Sequence, residues 1–256
     1  MKKIISLISL LILSGCSTEL KYTMNNSKFL TPEARGKLFK GEVSLSYQTV
    51  NKVVISEAFD PIIFNLPASA TDVNQIRNGG NISLPINLGL MEQLDFYTID
   101  SKYGFKYQFV GAGDEKREEG YKAAVALAYG YDHPDKEDVI YSNGNSVRTY
   151  STDMKVKSYE LSLLFGKRID NKNLFYTNLF HDRYEYDGKL TSTSFSEVKA
   201  SGKSQNTGLL LGYELSSDPK GLGAKIKLEG GIVYGKLDDS DDRTAGTFGS
   251  SLGFSW

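Results

Sequence analysis

The sequence predicts an all-β chain folded as a single antiparallel, up-and-down transmembrane β-barrel of about ten strands. Three observations carry this. Segment after segment alternates apolar with polar or small residues, the period of strands whose side chains point to opposite faces. Most of these segments run about 9–13 residues, the length a tilted strand needs to cross a bilayer. No stretch sustains helical periodicity, and no repeat recurs beyond the hairpin rhythm.

Composition agrees. Among 256 residues, 25 glycines and 16 tyrosines are many and 6 prolines are few, which suits curved strands with tyrosines at a membrane boundary. The negative mean hydropathy excludes a helical membrane bundle but not a barrel, whose strands are half polar. A single cysteine excludes an intramolecular disulfide and a thiolate metal cluster, and two histidines leave no ordinary zinc site. Without Lys2 and Lys3 the chain holds 28 basic against 31 acidic residues, so charge gives no case for nucleic acid.

The elements follow in order. Residues 17–35 are polar and aperiodic and read as a tether. Gly41, Val43, Leu45 and Tyr47 alternate with Lys40, Glu42, Ser44 and Ser46. After Val53-Val54-Ile55 a long connection runs to Gly80, in which Ile62-Ile63-Phe64 is either a short strand or a loop segment. Ile82 to Leu90 alternates cleanly except for Pro85, which removes a ladder donor and belongs at an edge or bulge. Leu94–Asp100 and Gly104–Gly111 follow across short connections. The charged turn Gly113–Gly120 leads to Ala123–Tyr131, then Tyr159–Phe165. In Leu174–Tyr186 either register could face out, Leu174, Tyr176, Asn178 and Phe180 or Phe175, Thr177, Leu179 and His181. Leu209–Tyr213, Ala224–Tyr234 and Phe248–Trp256 complete the ten.

Three connections read as long loops, 49–79, 132–153 and 187–204, while the turns between are mostly shorter. Outer-membrane barrels pair long external loops with short periplasmic turns, which puts both ends of the barrel in the periplasm. The tether is expected to enter from that side.

Met1–Cys16 stands apart from the fold. Lys2 and Lys3 precede an apolar core, Ile4–Leu13, interrupted only by serines, and Leu13-Ser14-Gly15-Cys16 supplies small residues at a cleavage position. This run is too short for a mature membrane helix and fits a secretory signal. Its last four residues resemble the lipobox of bacterial lipoproteins; the alternative is an ordinary signal peptide with an incidental cysteine. The resemblance implies cleavage before Cys16 and covalent diacylglycerol and N-acyl lipid on that residue, with no other cofactor expected. Ser17 is compatible with outer-membrane sorting. The domains are then 1–15 signal peptide, 16–35 lipidated flexible tether and 36–256 barrel.

In the last strand Phe248, Leu252, Phe254 and Trp256 share one face, and Gly249, Ser251, Gly253 and Ser255 the other. An apolar face ending on an aromatic resembles the closing strand of bacterial outer-membrane β-barrels. That resemblance implies an assembly signal at these four apolar residues, read by the barrel-assembly machinery, with pairing to the strand at Gly41–Tyr47. If the apolar faces meet lipid, Lys106, Gln108, Lys122, Glu160, Lys225, Lys227 and Glu229 line the lumen. Ten strands make a narrow lumen, plugged or constricted.

No catalytic residue is predicted. Small outer-membrane barrels such as omptin proteases and lipid A deacylases use histidine beside carboxylate or serine. Here His181 adjoins Asp182, but neighbours in a strand point to opposite faces and cannot form a dyad. His133 lies in a loop. Asp238-Asp239-Ser240-Asp241-Asp242 lacks the glycine and distal glutamate of a calcium loop, so no metal is expected.

The sequence thus points to a lipid-anchored outer-membrane barrel of a diderm bacterium with a structural, adhesive or narrow-transport role. Its expected partners are outer-membrane lipid and the barrel-assembly and lipoprotein-sorting machineries. The alternatives are a barrel enzyme acting on lipid or peptide through His181, and a soluble surface lipoprotein with a closed barrel or sandwich.

Overall fold

The computed structural model describes residues 16–60, 69–142, 145–193, 195–217, 222–238 and 240–256. The signal segment 1–15 and residues 62–64 lie outside them. The described residues form thirteen strands: β1 (Cys16–Asn25), β2 (Gly41–Asp60), β3 (Ser69–Ser83), β4 (Ile86–Met91), β5 (Leu94–Ile99), β6 (Lys102–Val110), β7 (Gly120–Asp132), β8 (Lys136–Ser142), β9 (Asn145–Arg168), β10 (Asn173–Ser192), β11 (Phe195–Ser216), β12 (Gly223–Leu237) and β13 (Asp241–Ser255).

Ten of them close an antiparallel ring. The ladder runs from β2 through β13, β12, β11, β10, β9, β7, β6, β5 and β4 back to β2. Closure leaves no open edge around the lower half, as a sheet surrounded by lipid requires. β3 continues β4 in the same register along β2, Ser46 facing Ser83 and Val43 facing Ile86. The ladder is interrupted at Leu84-Pro85 because proline brings no N–H; the Pro85 carbonyl instead accepts from the Ser44 N–H at 3.0 Å. The seam is the β2–β13 pairing, Val43 opposite Phe254 and Leu45 opposite Leu252. At its foot the Trp256 ring lies so close over Gly41 that a Cβ there would come within 2.3 Å of it. The end of the barrel bearing Trp256 is called the lower end.

Each long strand changes character along its length. In β10 the outward residues are Phe175, Thr177 and Leu179 below, then His181, Arg183, Glu185, Asp187 and Lys189 above. The inward ones pass from Asn178 and Asp182 to Tyr184, Tyr186 and Leu190. β9 repeats the pattern, with Tyr159, Leu161 and Phe165 outward below and Lys155 and Lys157 outward above. Its buried Glu160 and Ser162 give way upward to Met154 and Val156. In β12 the inward run is Lys225, Lys227 and Glu229, then Val233 and Leu237. The lower half is therefore apolar outside and ionic inside; the upper half is the reverse.

The lower belt carries aromatics at both margins: Tyr47, Tyr103, Tyr129, Tyr159 and Tyr234 above, and Tyr107, Tyr121, Phe175 and Trp256 below, all exposed. Such girdles flank the apolar band of membrane barrels. Phe175 and Leu179 take the outward register of β10 and Tyr176 and Phe180 the inward one, which resolves the open facing of that strand.

Above the belt, β1 takes the place along β2 that β13 holds below, so β1, β2 and β3 form a three-stranded sheet. It packs on the inner faces of β9 to β12, with Leu20, Met24, Val53, Ile55, Ile76, Met154, Tyr184 and Leu237 in the shared core. Each such aliphatic side chain fully removed from water contributes roughly 1.5–3 kcal/mol. The opposite face is polar: Arg77 pairs with Glu19 at 2.7 Å and Glu57 at 3.2 Å. The run Val53-Val54-Ile55 does not alternate because the β2–β3 and β1–β2 registers slip there, a bulge that adds one unpaired residue.

Four expectations are corrected. The predicted loops 49–79, 132–153 and 187–204 are largely strand: β2 reaches Asp60 and β3 begins at Ser69, β8 pairs with the start of β9, and β10 and β11 run nearly to their common tip. Above the belt the outward register turns polar, and the membrane pattern that marks these strands below ends there. Likewise Asp241 and Asp242 belong to β13 and not to an acidic loop; Asp239 lies outside the described residues. The tether 16–35 is no tether, because residues 18–35 are buried apart from Glu19, Lys21 and Thr23. Nor does it approach from the lower end: Cys16 pairs with Asp60, at the top of β2.

Candidate functional site

The site is the lumen of the lower half. Residues 26–35 leave β1 and run down its axis without regular structure, buried at every position. A buried segment outside a ladder has backbone N–H groups that need partners, and wall side chains supply them. The Gln48 carbonyl accepts from the Ser27 N–H at 2.9 Å, and the Glu229 carboxylate from the Lys28 N–H at 2.9 Å. The Gln108 carbonyl accepts from the Ala34 N–H at 2.6 Å, and Asp95 from the Arg35 N–H at 2.9 Å. Asn206 donates to the Asn25 carbonyl at 3.0 Å. The segment is a built-in plug.

Its charges complete the wall's. Lys28 lies 2.6 Å from Asp182 and 3.0 Å from Glu160, with Lys102 at 3.1 Å from each and the Phe180 ring 4.3 Å below the ammonium. Glu33 meets the Arg168 guanidinium in a fork, Nε to Oε1 at 2.7 Å and Nη2 to Oε2, with Lys122 at 3.5 Å. Arg35 bridges Glu42 at 2.9 Å and Asp114 at 3.0 Å. Buried charges persist only when paired and hydrogen-bonded, and these are.

All seven residues named for the lumen point inward and are buried. Lys106 reaches Asp95 at 3.0 Å and the Glu33 carbonyl at 2.6 Å. Lys122 also donates to the Ala112 carbonyl at 2.7 Å. Lys225 meets Asp114 at 2.7 Å, and Lys227 meets Glu42 and the Phe29 carbonyl. Glu229 accepts from the Tyr176 hydroxyl at 3.0 Å as well as from Lys28. Phe248, Leu252, Phe254 and Trp256 are all outward and exposed. Cys16 lies in β1 at the top of the molecule, apart from both groups.

Asp114, in the lower turn after β6, joins plug to wall. Burial would raise its carboxyl, but Lys225, Arg35 and Arg117 outweigh that and hold it well below the usual carboxylate range.

Little space remains. The void between Lys28–Leu30 of the plug and Glu42, Asn87, Tyr97 and Ile99 of the wall amounts to about 10 Å³, one water at most. Larger openings lie above: a notch of about 280 Å³ over the short β5–β6 hairpin, lined by Asn25, Asp100, Lys102 and Asp132, and an open cleft of about 530 Å³ beside Asp72, Tyr186 and Asp238.

His181 forms no dyad with Asp182. His181 is outward and bonds Thr207 at 2.8 Å, whereas Asp182 is inward and fully buried against Lys28 and Lys102. His133 sits among exposed Asp153 at 2.9 Å and Asp135 at 3.3 Å. Among the described acidic residues of 238–242, Asp238 accepts from the Lys203 N–H, Asp241 from the Ile76 N–H and Asp242 from the Tyr234 hydroxyl.

Sequence reasoning missed half of the network. Glu42 was legible in the polar register of its strand, whereas Asp182 lies in the strand whose facing was open and Arg168 lies beyond the strand read as Tyr159–Phe165. Lys28, Glu33 and Arg35 carry no periodic signal, since a segment enclosed on every side has no face to alternate.

No protein-family model matches the chain, and no curated protein matches it. Among solved structures, the chain is similar to Ail, the attachment invasion locus protein of Yersinia pestis. The identity is 12%, over 86% of this chain and 100% of that one, with a TM-score of 0.32. Ail in complex with the heparin analogue sucrose octasulfate gives 0.36 at the same identity and coverage. Neisserial surface protein A gives 12% identity over 84% of this chain and 95% of that one, with a TM-score of 0.27.

Proposed function

We propose that the chain is an outer-membrane β-barrel, lipid-modified at Cys16, that holds a soluble β-sandwich outside the cell in a structural or adhesive role. The observation that carries this reading is the inversion of polarity along the strands. A barrel wholly in water would keep its apolar face inward throughout; here the lower half turns it outward between aromatic girdles, while the upper half buries it. The long hairpins all rise from the upper end, so that end is external and the Trp256 end periplasmic.

The plug argues against the transport reading. Every wall charge named above is met by a plug or wall partner, and the void beside Lys28–Leu30 amounts to about 10 Å³. The opposed faces of His181 and Asp182 likewise favour a non-enzymatic role. Sorting and assembly machineries are the partners that deliver such a chain, with Phe248, Leu252, Phe254 and Trp256 as the assembly signal.

The test is gel mobility of the detergent-extracted protein with and without boiling, paired with conductance in a planar bilayer. A faster unboiled band and no conductance are expected. Equal mobility, with solubility once Cys16 is replaced, would sink the membrane barrel; steady conductance by the unaltered protein would sink the plugged role.

A further inference from the structure

We propose that the chain is threaded through its own barrel, so that Cys16 emerges at the cell surface and any lipid it carries is displayed there. The proposal rests on the orientation given above, with the Trp256 end in the periplasm, and adds which side the modification site occupies.

The path is continuous. Gly41 begins β2 at the lower end, where its N–H bonds the Trp256 carbonyl and its carbonyl takes the Trp256 N–H. Just upstream, the Ala34 carbonyl accepts from the Asp114 N–H of the lower turn at 2.8 Å, and Glu33 is gripped by Arg168 at the lower end of β9. Higher, Lys28 meets Glu160 and Asp182 in mid-wall. Higher again, β1 runs antiparallel along β2, from Asn25 opposite Val50 to Cys16 opposite Asp60. The chain upstream of the barrel thus crosses the whole lumen from bottom to top.

Scale keeps Cys16 from the inner leaflet. Asp60 stands thirteen residues beyond Tyr47, which marks the upper margin of the belt. At about 3.3 Å per residue that is roughly 43 Å along the strand. While β1 is docked, acyl chains on Cys16 have no access to the inner leaflet, because the full belt and the extracellular half of the barrel intervene. The pairing of β1 with β2 and the four wall acceptors on plug N–H groups hold it docked.

The test uses the full-length chain expressed in a diderm host. A short epitope between Ser17 and Thr18 is probed with antibody on intact and on lysed cells. Lys199→Cys, on the upper half, and Glu118→Cys, in the lower turn, report barrel orientation to a membrane-impermeant maleimide. Expected are antibody binding to intact cells, labelling of K199C on intact cells, and labelling of E118C only after lysis. An epitope seen only after lysis, with K199C still labelled on intact cells, overturns the threading and leaves the orientation standing. Labelling of E118C but not K199C on intact cells overturns the orientation itself. Labelling of the unaltered chain on intact cells means a free Cys16 thiol at the surface, which removes the lipid and upholds the threading. Should the epitope block insertion, Thr23→Cys with Lys52→Cys, cross-strand partners in β1 and β2, is the second readout. A disulfide in the heat-modifiable barrel is expected; its absence there overturns the proposal.

Discussion

Arg168 of the wall and Glu33 of the plug face each other as a guanidinium–carboxylate fork, with neither side chain more than 1% exposed. Two parallel charge-assisted bonds fix distance and angle together, so the pair sets the depth of the plug as well as holding it. Removing one partner costs the other its fork and leaves only a longer contact, Lys122 at 3.5 Å for Glu33 or Glu214 at 3.3 Å for Arg168, so the loss reaches at most about 3–5 kcal/mol. Arg168→Ala should lower the temperature at which the unboiled gel band is lost and bring intermittent conductance in planar bilayers. Arg168→Met with Glu33→Leu, which removes both charges, should recover most of the thermal loss.

Lys28 and Lys102 share the carboxylates Glu160 and Asp182. Groups joined in one network do not contribute independently. Lys28→Met and Lys102→Met should each destabilise the barrel. Their combination should differ from the sum by about 0.5–3 kcal/mol, read from unfolding in detergent and urea. Additive losses would mean that the two cations act at separate sites.

The depressed Asp114 carboxyl predicts the direction of the acid response. Its stabilisation is fully present above the unfolded carboxyl's value of about 4 and is lost as pH falls through the lower folded value. Unfolding temperature in detergent should therefore drop below about pH 4 in the unaltered protein. Asp114→Asn should be less stable at neutral pH and lose less on acidification, so the two curves converge.

The margin of the belt is testable residue by residue on one strand. Leu179 and Glu185 both point outward from β10, one inside the belt and one above it. A lysine on the lipid face near mid-membrane costs about 2–4 kcal/mol, and near the interface about 0–1. Leu179→Lys should cut the yield of folded barrel in vesicles sharply, and Glu185→Lys should fold like the unaltered chain. Equal behaviour would remove the boundary at His181.

The β10–β11 pairing carries a packing prediction. Tyr176 faces Gly212 across the strands, and a Cβ at Gly212 would come within 2.2 Å of the tyrosine ring. Gly212→Ala should destabilise by about 1–3 kcal/mol through overpacking. Pairing it with Tyr176→Leu should restore much of the loss, as measured by thermal mobility shift.

The ring itself was legible because lipid imposes a period of two that survives in composition: Leu45 and Tyr47 outward, Glu42 and Ser44 inward; only in Leu174–Tyr186 did both registers remain open. The strands above the belt were not, since Arg183, Glu185 and Asp187 resemble loop residues until Tyr184 and Tyr186 are known to face a core. Pro85 was legible as a ladder fault, though not as one spanned by an unbroken register. The plug was invisible for a different reason. Lys28 and Glu33 have ionic partners more than a hundred residues away, Arg35 joins nearby Glu42 to Asp114 on a distant turn, and nothing local marks a polar stretch as enclosed.

The route of residues 18–35 also fixes an order of events. A ring closed without them would bury Glu160, Asp182, Arg168 and Glu42 short of partners, at several kcal/mol for each stranded ion. Laying the segment on a still-open sheet avoids that state and requires no passage through a finished hole. The segment is then a mandrel around which the wall is wrapped, with the ring closing on it through pairings such as the seven from Glu42–Ser255 to Gln48–Gly249. A chain cut short at Arg35 would lack the form on which its own ring is wound, even with every wall strand intact.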